Sequence, residues 1–183
     1  MKRKGLALAA AVMLLLTACG NGEKVISGES GGSGTAANTG NQGTEIQASG
    51  GYLFVAPGGV TVQIDAPAEP IIEALGEPAS YFEAPSCAFQ GIDKVYTYNS
   101  FEIDTYPQDE KDYISAVIFK DDSISTPEGV AIGDSRTKME EAYGTDGTTE
   151  GGKVIYRKDN MKLCFILKDD SIVSIEYNTT ALD

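Results

Sequence analysis

The chain predicts an α+β fold: a tandem repeat of a short helix plus an antiparallel β-meander, with the helices packed on one face of the sheet. Three observations predict it. Apolar and polar residues alternate in short runs, as in Val60-Thr61-Val62-Gln63-Ile64, the pattern of half-buried strands. Two short apolar stripes at helical spacing each follow an aspartate and end at a glycine. The same grammar then returns 68 residues on, with Ile64 falling on Ile132, Glu73 on Glu141, Ala74 on Ala142 and Gly76 on Gly144.

The first repeat covers about residues 51–125. Tyr52-Leu53-Phe54-Val55 is a candidate strand ended by Pro57-Gly58-Gly59, and Val60 to Ile64 is the next. Asp65 is placed to cap a short helix, in whose first turn Pro67 and Pro70 are tolerated. Ile71, Ile72 and Leu75 form its apolar stripe, Gly76 supplies the left-handed residue that stops it, and Pro78 prevents continuation. Residues 77–93 read as a long connection. Strands follow at about Lys94–Tyr98, Phe101–Tyr106 and Tyr113–Lys120.

The second repeat covers about residues 126–183. Val130-Ala131-Ile132 leads to a cap at Asp134. Met139, Ala142 and Tyr143 form the stripe, and Gly144 ends the helix. Strands are expected at about Lys153–Arg157, Met161–Leu167 and Ser171–Tyr177, joined by short polar turns at Lys158-Asp159-Asn160 and Lys168-Asp169-Asp170. One meander of this size is marginal alone. Two can combine their sheets, bury both helices on one face and leave the other face to solvent or a partner.

Ahead of the domain, Met1-Lys2-Arg3-Lys4 is a basic start, and Gly5 to Leu16 is an apolar run too short to span a hydrocarbon core of about 30 Å. Leu16-Thr17-Ala18-Cys19 resembles the lipobox of bacterial lipoproteins. The resemblance implies a signal peptide over 1–18, cleavage before Cys19, and a diacylglyceryl group on the Cys19 thiol. Each acyl CH₂ contributes roughly 0.8 kcal/mol to membrane binding, so two chains anchor where one is marginal. Residues 19–50 read as a lipidated tether. Gly20 to Gly50 holds nine glycines among Ser, Thr, Asn and Gln, a composition that cannot offset its ordering entropy. As a Gly-rich coil it would span roughly 30 Å.

The pattern Ile132-Gly133-Asp134-Ser135, a short helix to Tyr143-Gly144, Lys153-Val154-Ile155-Tyr156 and a closing hairpin resembles the repeat of beta-lactamase-inhibitor-protein-like domains. Small lipoproteins of outer-membrane protein assembly share that unit. The resemblance covers about Val60 to Tyr177 and implies the fold. The first repeat departs, with Asp65 where the second has Gly133. The chain has no Trp, whereas inhibitory members resemble one another in an aromatic-rich concave sheet, so inhibition of a beta-lactamase is not implied.

Composition narrows the function classes. The formal charge is −13, and removing residues 1–18 takes away Lys2, Arg3 and Lys4 and no acid, leaving −16. With no basic stripe for phosphates, nucleic acid is not an expected partner. Anionic lipid is disfavoured too, so the membrane is a partner through Cys19. The chain has no histidine, which removes Ser-His and Cys-His nucleophile pairs and His metal sites. Ser135-Arg136-Thr137-Lys138 matches the S-x-x-K nucleophile motif of penicillin-binding proteins, but the companion motifs are missing and a helix start with an exposed lysine is the plainer reading. The acid clusters Asp109-Glu110-Lys111-Asp112, Asp121-Asp122, Glu140-Glu141 and Asp169-Asp170 lack the spacing of a calcium loop and read as solvated turns. No cofactor or metal is expected.

Two further features bear on binding. Cys87 and Cys164 remain once Cys19 is lipidated. They can pair outside the cytoplasm, or Cys164 can pack as a small hydrophobe within Leu163-Cys164-Phe165. Tyr96, Tyr98, Tyr106, Tyr113, Tyr156 and Tyr177 fall in or beside strands and would serve as interface anchors on an open sheet face. The expected function is a lipid-anchored, non-enzymatic binding module of the bacterial cell envelope whose partner is a protein or envelope component. The alternatives are an envelope hydrolase using paired carboxylates and an envelope-assembly scaffold lipoprotein.

Overall fold

The computed structural model describes residues 50–183. The expected signal peptide 1–18, the expected lipidation at Cys19 and all but the last residue of the expected tether 19–50 lie outside the described residues.

The chain runs through a small hairpin, β1 (Phe54–Val55) and β2 (Thr61–Val62), to helix α1 (Ala68–Leu75). Strands β3 (Ser80–Pro85), β4 (Ile92–Thr97), β5 (Phe101–Gln108) and β6 (Lys111–Phe119) follow. Helix α2 (Arg136–Tyr143) then leads to β7 (Thr148–Glu150), β8 (Lys153–Lys158), β9 (Met161–Lys168) and β10 (Ser171–Thr179). Strands β3 to β10 form one eight-stranded sheet in the order β3-β4-β5-β6-β10-β9-β8-β7, every neighbouring pair antiparallel. Its middle seam joins β6 to β10, with Val117 opposite Tyr177.

This corrects the expected fold class. The domain is a β-rich fold built on a continuous antiparallel sheet, not a helix-plus-meander repeat with helices as a layer on the sheet. The reason lies in what each element buries. Both helices have eight residues; α1 fully buries Ala68 and Ile71, and α2 only Met139. Most of the cover comes from irregular chain and the small hairpin, which supply Phe54, Ala56, Val62, Ile64, Ala66 and Val130. Phe54 is the hub, its ring centroid 5.1 Å from that of Phe101, 5.2 Å from Phe119 and 6.1 Å from Tyr177.

The caps differ from expectation as well. Asp65 does not cap α1. The backbone of 65–66 pairs instead with β6, Asp65 N–H donating to Ile114 O at 2.9 Å and Ile114 N–H to Ala66 O at 3.0 Å. That pairing carries Asp65 into the left-handed region at φ 62°, and Pro67 becomes the N-cap, without a side-chain hydrogen bond. On α2 the cap is Ser135, whose Oγ accepts from Lys138 N–H at 3.2 Å, while the Asp134 carboxylate accepts from Ala131 N–H at 2.7 Å. Gly76 and Gly144 do end the helices, at φ 78° and 89°.

Two strands lie where none was expected. β3 occupies the segment read as a connection, and β7 precedes β8. Four hairpins close through two residues each: Asp109-Glu110, Gly151-Gly152, Asp159-Asn160 and Asp169-Asp170. Positive φ at both central residues is the signature of the primed turns that match strand twist. It is met at 109–110, 151–152 and 169–170. Two of the acid clusters, Asp109-Glu110-Lys111-Asp112 and Asp169-Asp170, therefore serve, at least in part, as turn chemistry.

Candidate functional site

Register and the period-2 alternation of strands divide the side chains between two faces. On the packed face lie Ile103, Val117, Tyr177, Leu163 and Tyr156, directly opposite one another from β5 across to β8. On the other face, one cross-strand row runs Phe82, Val95, Asp104, Ala116, Asn178, Lys162, Arg157. The next row runs Ser80, Thr97, Glu102, Ile118, Glu176, Cys164, Ile155, Thr148. Among the described residues no helix or second sheet covers this face. The C-terminal residues reach its margin, where Lys162 pairs with Asp183.

The open face is divided by charge. On the β7–β10 side three cations are neutralised locally: Lys153 Nζ lies 2.5 Å from Glu176 Oε2, Arg157 lies 2.9 Å from Glu150, and Lys162 holds Asp183, while Lys168, at the exposed end of β9, has no salt bridge among the described residues. On the β4–β5 side stand Asp93, Glu102 and Asp104, and among the described residues none of the three has a salt bridge. Glu102 accepts from Thr97 Oγ1 at 2.9 Å. One carboxylate oxygen of Asp93 and one of Asp104 are buried without a hydrogen-bond partner. Burial, reinforced by Glu102 and Asp93, pushes the Asp104 carboxyl up to about 6. An ionised Asp104 is thus short of a positive neighbour at neutral pH.

Between these halves lies a hollow of about 330 Å³ lined by Asp104, Ala116, Lys153, Cys164, Glu176 and Asn178. A larger cleft, about 440 Å³, lies on the packed side between α1 and the β5–β6 turn. Its floor is an internally satisfied pair, Lys94 Nζ to Asp112 Oδ2 at 2.6 Å, so it offers no unmet buried charge. The open face is the better candidate.

The tyrosines anticipated as interface anchors are a correction. Tyr96, Tyr98, Tyr156 and Tyr177 belong to the packed face, against or within the core. Two of their hydroxyls close helix ends, Tyr156 donating to Gly144 O at 2.7 Å and Tyr98 to Gly76 O at 3.3 Å. Tyr106 and Tyr113 alternate onto the open face, yet their rings lie against each other at 5.9 Å, and the buried Tyr106 hydroxyl donates to Asp65 Oδ1 at 3.1 Å. The exposed aromatics are Tyr81 and Phe82, at 47% and 63% exposure. Both lie in 77–93, which the sequence presents as a long connection, although Tyr81-Phe82 stand between Pro78 and Pro85 as a short apolar run.

Cys87 and Cys164 are both free, the first exposed and the second buried. The expected bridge is corrected by topology. Cys87 sits in the β3–β4 connection, whereas Cys164 is in the middle of β9, four strand spacings beyond β4. At about 4.8 Å per spacing this far exceeds the roughly 7 Å limit between bridged Cα atoms. Burial pushes the Cys164 thiol up, which suppresses the reactive thiolate. In the S-x-x-K stretch, Ser135 is the helix cap and Lys138 Nζ is held by Asp134 Oδ2 at 2.7 Å. The described residues contain no group of three potential metal ligands.

No protein-family model, no curated protein and no solved structure matches this chain. The functional reading rests on the chain's own residues.

Proposed function

We propose that this protein is a lipid-anchored, extracytoplasmic binding module of the bacterial cell envelope. Cys19 anchors it, residues 20–50 give reach, and the open sheet face engages a partner that carries basic groups. The observation that carries the reading is the set Asp93, Glu102 and Asp104. These acids share the open face without a salt bridge, and two of their oxygens are buried without a partner. Such groups gain most from a cation supplied by something else, because desolvation has already been met in the folded state. The overall acidity points the same way, steering basic partners toward the domain.

The test is photocrosslinking on intact cells, with the crosslinker at Ile118 on the open face or at Ile72 on α1. Capture from Ile118 that is lost in Asp104→Lys, with thermal unfolding unchanged in kind, supports the reading. Equal capture from both positions sinks it.

A second reading, an envelope hydrolase, is favoured by one observation. A carboxyl with a pKa of about 6 beside two other acids is suited to general acid catalysis. It requires turnover of an envelope polymer that Asp104→Asn abolishes.

A further inference from the structure

We propose that β3 is a docking edge, to which an extended, basic segment of another protein adds as a ninth strand. This concerns the rim of the sheet, so it does not depend on the reading of the open face.

The backbone pattern follows from one hydrogen bond. Ser86 N–H donates to Gly91 O at 3.0 Å, one register step beyond Pro85 opposite Ile92. Antiparallel ladders alternate bonded and non-bonded pairs. Ser80, Phe82 and Ala84 therefore turn their backbone groups in toward β4, and Tyr81, Glu83 and Pro85 turn theirs out. Pro85, which has no N–H to offer, falls on the outward side, the position a strand tolerates. Among the described residues the N–H and C=O of Tyr81 and Glu83 form the free rim, since β3 is the terminal strand.

The opposite rim is guarded more heavily than this one. β7 has three residues, runs into Gly151-Gly152, and its Glu150 is clasped by Arg157 at 2.9 Å. Short, charged edges of this kind are how sheets avoid adventitious pairing. β3 has six residues and exposes Tyr81 and Phe82 on its two faces. An open apolar edge of that length is the geometry of strand addition, in which main-chain bonds supply affinity and alternate side chains supply choice.

Charge selects the occupant. Glu77 and Glu83 stand at or beside the edge, with Asp93 on the next strand; Glu83 accepts from the Tyr81 hydroxyl and lies opposite Lys94, but has no salt bridge among the described residues. The one cation of β4, Lys94, is already tied to Asp112. A second copy would bring the same acids and its own formal charge of −13. A partner strand with a Lys or Arg opposite Glu83 and an apolar residue opposite Phe82 satisfies both neighbours.

The experiment uses the mature chain and three synthetic hexapeptides: alternating Lys-Val, alternating Glu-Val, and Lys-Val with alternate amides N-methylated. Amide hydrogen exchange is followed residue by residue. The proposal expects Lys-Val, and neither control, to slow exchange at Tyr81 and Glu83. It also expects Glu83→Lys, an exposed change, to weaken Lys-Val binding by about tenfold. It is overturned if those amides are unaffected, or if the N-methylated peptide binds as well. Protection that rises with protein concentration alone would overturn it too, because a second copy would then be the occupant.

Discussion

At the scale of single residues, Asp104 stands out because its environment disfavours its own charge. Its carboxyl is pushed up to about 6 in the folded chain from an ordinary 3.8, with burial as the main cause and Glu102 and Asp93 behind it. The folded state therefore holds the proton more tightly than the unfolded one. Stability linked to this group is complete below about pH 4, falls as pH rises through 6, and stays reduced above. The whole swing is at most about 3 kcal/mol, since one pK unit corresponds to about 1.36 kcal/mol. Asp104→Asn keeps the shape and removes the charge. It is expected to be more stable than the parent by roughly 1–2 kcal/mol at pH 7.5, with the advantage gone by pH 4. Urea unfolding of both proteins at the two pH values measures this, and an Asn variant no more stable at pH 7.5 would refute the account. The cysteines give a second prediction. In a Cys19→Ser chain, one thiol, that of Cys87, is expected to react with a thiol reagent under native conditions and two after denaturation. A Cys87–Cys164 bridge would leave none reactive in either state.

At the scale of elements, the turns show how sequence becomes register. Glu110 sits at φ 64°, a left-handed conformation that costs a β-carbon residue about 1–2 kcal/mol and a glycine almost nothing. Aspartate at 109, 169 and 170 bears that conformation better, because its short side chain can bond locally. Glu110→Gly is accordingly expected to stabilise the domain by about 1 kcal/mol, read as a raised urea midpoint at unchanged slope. An unchanged or lowered midpoint would show that the Glu110 side chain contributes elsewhere. The same physics decides what was legible beforehand. β5, β6, β8, β9 and β10 could be read because each alternates between a core and a second face. Gly76 and Gly144 could be read as helix stops because only glycine is at ease there. β3 could not, since both its faces are largely exposed and its residues carry no alternation. The cover of the core could not either: Phe54 and Val130 are buried by long-range contact, and short helical stripes overstated what α1 and α2 bury. The open-face acids were written in the sequence as Glu102-x-Asp104, one face of a strand. Their importance depends on missing partners, which only the folded sheet displays.

At the scale of the whole molecule, the proposed function divides the chain into an anchor, a spacer and a sheet, and the anchor can be tested without knowing the partner. A strongly acidic domain is repelled by anionic headgroups, and among the described residues no helix is long and apolar enough to cross a membrane. In the proposed function, membrane attachment comes from Cys19. Two acyl chains on one thiol-linked glycerol provide an apolar contact that salt does not weaken, whereas electrostatic adsorption falls with ionic strength. The wild-type chain is therefore expected in the detergent-rich phase of a Triton X-114 separation, at low and at high salt alike. Cys19→Ala should remove the lipid, with the signal peptide left attached or cut elsewhere as intact mass spectrometry reads directly, and the chains cut elsewhere should move to the aqueous phase. An alanine variant that still partitions with detergent, at the mass of a processed chain, would place the anchor outside Cys19 and remove the reason to read residues 20–50 as a tether.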